Sequence, residues 1–170
     1  MLLTATCTRS EVNEICKNLI INENNFTLVR GSINYRPEII FNVKERKKIR
    51  DQYISDIIDI INKNLQGRII IYCPTHTNCE FIYNKLQENL PNISINYFHG
   101  GLRDDERETI MNKWKTGNIQ IIVATSAFGM GINSKDMYIV IHMGAPMSIS
   151  IYIFYYLYII LIILYSNYIF

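Results

Sequence analysis

No Gly-Lys-Ser or Gly-Lys-Thr occurs anywhere in these 170 residues, so the sequence holds no lysine loop of its own to cradle a triphosphate. Its four cysteines, Cys7, Cys16, Cys73 and Cys79, form no C-x-x-C pair, which argues against a zinc site or disulfide framework and for buried or free thiols in a reducing compartment. Charge of one sign is scarce too. The formal net charge is only +2, too small to argue for nucleic-acid binding without a local patch. The opening "MLLTATCTRSEV" has too short an apolar run for a secretory signal, and no internal repeat is visible. No arginine follows Arg107, and residues 149–170 contain no charge at all.

What is present is globular: 49% of residues are hydrophobic and 19% charged, in a chain long enough for one domain with a real core. Val12, Ile15, Cys16, Leu19 and Ile20 recur at helical spacing, predicting a helix over residues 8–21. "FTLVRG" reads as a short strand and "INYRPEIIFNVKE" as a second extended run. Ile49, Tyr53, Ile57, Ile60 and Ile61 make a helical stripe ending near Gly67. "RIIIYC" is a continuous apolar run of the kind a buried parallel strand shows. A helix follows it, with Thr75 or Thr77 available as its cap. "SINYF" is a strand, and Asp104, Asp105 and Glu106 open a helix that stops at Gly117. "IQIIVAT" and "MYIVIHM" are further buried strands.

Strands thus alternate with helices, which predicts an α/β fold built on a parallel sheet. Right-handed crossovers then bring the loops after Cys73, Phe98, Ala124 and Ile141 to one edge of the sheet, where open α/β folds bind ligands. In the first loop, "CPTHTN", backbone amides at a helix start fit a phosphate, but Thr75 or Thr77 serving as an ordinary N-cap fits equally. In the second, His99 precedes two glycines; no carboxylate stands near it in sequence to orient it as a base, so it is structural or phosphate-contacting. The third, "ATSAFGMGIN", offers the hydroxyls of Thr125 and Ser126 and a backbone that an anion can approach. It lacks the third glycine of a dinucleotide fingerprint.

Taken together and in order, these stretches resemble the second RecA-like lobe of the RecQ family of superfamily-two DNA helicases. "LTAT" resembles the motif closing the first lobe, and "INYRPEI" the linker between lobes. "IIIYCPTHTNCE", "YFHGGLRDDER" and "IIVATSAFGMGINSKDMYIVIHMGAPMSIS" resemble successive second-lobe motifs. The resemblance implies an α/β fold with a RecA-like parallel sheet flanked by helices, ending here in an apolar C-terminal helix. It divides the chain into 1–34, the end of the first lobe and linker; 35–148, the helicase C-terminal lobe; and 149–170, an apolar tail. It implies a piece of an ATP-dependent 3′-to-5′ DNA helicase located in the nucleus, with ATP and Mg2+ as cofactors and single-stranded DNA and a first lobe as partners.

Carried over residue by residue, Thr125 and Ser126 contact the DNA backbone with Thr75 and His99 nearby. Gly129, Gly131 and Asn133 face nucleotide and the lobe interface, and Thr4 and Thr6 belong to the coupling motif. The departures are specific. The arginine-bearing motif expected after "PMSIS" is replaced by "IYIFYYLYIILIILYSNYIF", and His76 stands where the pattern more usually shows Arg. Without the lysine loop, the metal ligands and that arginine, these 170 residues are expected not to hydrolyse ATP alone. The alternative is a single-lobe nucleic-acid-binding module without catalysis.

The tail admits three readings: a membrane anchor, a helix covering the exposed lobe face, or a non-native reading frame such as retained intron from an AT-rich genome. Its length fits a bilayer span, but no Lys or Arg flanks it. The abrupt change inside a recognisable motif favours the third, and the start in mid-motif likewise suggests truncation.

Overall fold

The computed structural model describes residues 9–22, 26–29, 40–45, 50–129, 137–144 and 160–165. In chain order the elements are α1 (Arg9–Asn18), β1 (Ile40–Glu45), α2 (Arg50–Lys63), β2 (Arg68–Tyr72), α3 (His76–Asn89), β3 (Ile95–Phe98), α4 (Asp104–Lys115), β4 (Ile121–Ala124), β5 (Met137–His142) and β6 (Ile160–Tyr165). The strands form one sheet in the order β1-β6-β5-β2-β4-β3, and every pairing is parallel.

The apolar runs become central strands because both faces of the sheet are covered. Side chains alternate along a strand, so Ile69 and Ile71 of β2 face one way with Ile121, Val123, Ile139 and Ile141. They meet Ile57 and Ile61 of α2 and Ile82 and Leu86 of α3. Ile70 and Tyr72 face the other way with Ile122, Ala124 and Val140, against Ile110 and Trp114 of α4. Each isoleucine so buried contributes about 2 kcal/mol by transfer from water. Register locks the arrangement: Ile71 of β2 stands beside Val123 of β4 and Ile141 of β5.

Local signals set the helix ends. Thr75, not Thr77, caps α3: its backbone is extended and its Oγ1 accepts from the Asn78 N–H at 3.2 Å. Glu106 reaches back to accept from the Arg103 N–H at 3.0 Å, which holds its carboxyl below the usual range. At the far end of α4, Gly117 adopts a φ of 78°, with Gly117 N–H donating to Trp114 O and Asn118 N–H to Lys113 O. Glycine makes that left-handed turn without steric cost.

Three expectations change. Residues 26–29 of "FTLVRG" are irregular rather than a strand; Val29 is 87% exposed and finds no sheet to join. α1 is shorter than expected, because the chain leaves the helix before Ile20, which has a φ of 55°. The described part of the tail, 160–165, is a parallel strand between β1 and β5 and not a helix. Its isoleucines, branched at Cβ and uncharged, suit a strand flanked on both sides. No helix among the described residues is long and apolar enough to cross a membrane.

Candidate nucleic-acid interface

Because the strands are parallel, the chain leaves β2, β3, β4 and β5 at one edge of the sheet. That edge is tied strand to strand: Cys73 N–H donates to Ala124 O at 2.7 Å, Thr125 N–H to Phe98 O at 3.1 Å and Met143 N–H to Tyr72 O at 2.9 Å. The loops containing Thr75, His99, Thr125 and Ser126 are therefore brought together, as their place after successive strands required.

In the first loop Pro74, Thr75, His76 and Thr77 are all exposed. The Thr75 hydroxyl oxygen is engaged in capping. Beneath the loop, the Cys79 thiol donates to Val123 O at 3.1 Å, and its hydrogen bond with Cys73 lowers its pKa against the opposing effect of burial. Cys73 and Cys79 are buried free thiols.

In the second loop His99 is only 4% exposed, and both of its ring nitrogens have partners. The Gly101 N–H donates to Nδ1 at 3.1 Å, so the proton sits on Nε2 and donates to Glu80 Oε1 at 3.0 Å. Glu80, nineteen positions away in sequence, therefore supplies the carboxylate that orients His99. Its hint was position alone: it follows His76 by one turn of α3, on the same helix face. The His76 ring stacks on His99, with centroids 4.4 Å apart and planes 13° from parallel.

The third loop hangs on an apolar plug. Phe128 is fully buried, edge-on to Phe98 at 5.0 Å and to Trp114 at 5.7 Å. Its N–H donates to Thr125 O, and its carbonyl accepts from the Tyr72 hydroxyl at 2.8 Å. The turn this creates leaves Ser126 and Ala127 exposed, Thr125 buried and Gly129 half-buried. Tyr72 also stacks on His142, centroids 5.1 Å apart, whose pKa burial pushes down to about 4, so that ring is neutral near pH 7. Composition gave no sign of Phe128 or Tyr72 as loop anchors. Gly131, Asn133, Thr4 and Thr6 lie outside the described residues.

Arg103, at the start of α4, is 74% exposed beside the second loop, though Asp105 and Glu106 stand 3.5 and 3.4 Å from it. Among the described residues no group of three or more His, Cys, Asp or Glu could hold a metal ion.

Comparison with known proteins identifies the family. The model of the helicase conserved C-terminal domain matches residues 52–154. The chain is 38% identical over 155 residues to the ATP-dependent DNA helicase hus2/rqh1 of Schizosaccharomyces pombe, covering 89% of this chain and 11% of that protein. It is 32% identical over 152 residues to the ATP-dependent DNA helicase RecQ of Bacillus subtilis, covering 89% and 24%. It thus spans between about a tenth and a quarter of these relatives' lengths. Among solved structures, helicase Lhr of Mycobacterium smegmatis bound to ssDNA and AMP-PNP superposes with a TM-score of 0.64 at 17% identity, over 76% of this chain and 20% of that one. A Saccharomyces cerevisiae Dbp5 variant bound to Gle1 and IP6 gives 0.70 at 15% identity, over 96% and 43%. These structural matches establish the fold.

Proposed function

The chain belongs to the helicase conserved C-terminal domain family, and we propose that it acts as the second RecA-like lobe of an ATP-dependent 3′-to-5′ DNA helicase of RecQ type. In this reading residues 35–148 are the lobe, and its carboxyl edge grips single-stranded DNA through backbone phosphates. One observation carries it: three loops of small and hydroxyl-bearing residues converge on an edge whose strand ends are hydrogen-bonded together. Such loops suit phosphate oxygens, which accept from backbone amides and hydroxyls and carry no sequence information.

Exposed Ser126 reaches the backbone directly, and Thr125 fixes the turn that presents it. Thr75 and His99 shape the neighbouring loops. Gly129, Gly131 and Asn133 face the nucleotide and the first lobe, and Thr4 and Thr6 couple the two lobes. ATP and Mg2+ bind between lobes, so these 170 residues alone do not hydrolyse ATP, since positioning, metal and charge stabilisation must act together. A nuclear location belongs to this reading, and similarity to the ATP-dependent DNA helicase hus2/rqh1 supports a DNA substrate.

The test replaces Thr125 and Ser126 together by alanine and titrates a single-stranded oligonucleotide at two salt concentrations. The reading expects the unsubstituted chain to bind with salt-dependent affinity and the double variant to bind more weakly. Unchanged affinity would remove both residues from the interface.

A further inference from the structure

A column of rings runs up α3 and β3 and ends at the surface beside the first loop. Tyr83 packs on Tyr97 with centroids 4.8 Å apart, Tyr97 on His99 at 5.5 Å, and His99 on His76 at 4.4 Å. The first three rings are at least partly buried, whereas His76 is exposed. His99 cannot swing, because Glu80 and the Gly101 amide hold its two nitrogens. Gly101 also lies flush against the stack: a Cβ there would come within 3.2 Å of Nδ1 of both His76 and His99. The His76 ring is thus supported from one side in a fixed plane.

Its own loop brings the ring no cation. Residues 74–77, Pro-Thr-His-Thr, include no Lys or Arg. Glu80, with its side chain 52% exposed, sets a carboxylate one helical turn away. A phosphate brought to this ring would face that negative charge, but the flat face of a base would not. We propose that the outer face of His76 is a stacking platform for one nucleobase of a bound single strand. This rests on the reading of the carboxyl edge as a single-strand interface. It adds a contact to the base that tolerates any sequence, because every base has a π face.

The experiment compares the full chain and its variants for binding to a short oligothymidylate and to an abasic strand of the same length. His76→Ala is expected to weaken thymidylate binding by roughly five- to 150-fold, the worth of one stacked base, and to leave abasic binding unchanged. His76→Phe, which keeps a ring without a nitrogen, is expected to retain the thymidylate affinity. Equal effects of His76→Ala on both strands, no effect on either, or a His76→Phe that behaves like alanine would overturn the platform while leaving the interface standing. If the unsubstituted chain binds neither strand, the single-strand reading falls and takes this inference with it.

Discussion

The turn after β3 and the turn after β4 sit side by side, yet they are anchored by opposite means. The first is held by polar contacts: the Gly101 amide and the Glu80 carboxylate fix the plane of His99, and His99 fixes the plane of His76. The second is held by Phe128, sunk between Phe98 and Trp114 and tied by the Tyr72 hydroxyl. Directional bonds set an orientation with modest energy, whereas an apolar plug supplies more energy and fixes only position. The edge uses one device to aim a ring and the other to hold out a hydroxyl.

Breaking the plug should have the larger effect. Phe128→Ala is expected to cost about 3–5 kcal/mol, the usual range for emptying a buried aromatic site, read from the urea midpoint at unchanged slope. A cost below about 1 kcal/mol would mean that the turn is held elsewhere. Acid should loosen the same side. His142 has a folded pKa of about 4, below its ordinary 6.5, so the unfolded chain binds the extra proton between those values. Its contribution to stability is whole above about pH 6.5 and is lost as pH falls towards 4, to the extent of about 3 kcal/mol. Melting curves across that window should show the slope, and His142→Phe should flatten it while keeping a ring on Tyr72. The smallest effect falls on the neighbouring loop after β2: Thr75→Ala removes the α3 cap and should cost about 1 kcal/mol, with Thr75→Ser close to neutral. An alanine variant as stable as the original would show that the capping bond contributes nothing net.

Sheet and helices were legible because their signals are local. "RIIIYC" and "IQIIVAT" are apolar without interruption, which suits strands covered on both faces. The acidic first turn and the glycine stop of α4 lie at its observed ends. The edge of the sheet, and with it the grouping of Thr75, His99, Thr125 and Ser126, followed from the alternation of elements. What was not legible depends on contacts between distant residues. Glu80 and His99 are nineteen positions apart, and only the packing of α3 against β3 brings them together. Phe128 stands alone among small residues, so no period marks it as core. Residues 160–165 show the limit of pattern itself, since an uncharged apolar run fits a helix by length and a strand by its branched isoleucines.

The proposed interface is tested most directly by amide hydrogen exchange of the 170-residue chain with and without a single-stranded oligonucleotide. It predicts added protection at residues 73–78, 99–103 and 125–129 and little change along the opposite edge of the sheet. Protection confined to other segments, or no change under conditions where the strand is bound, would contradict it.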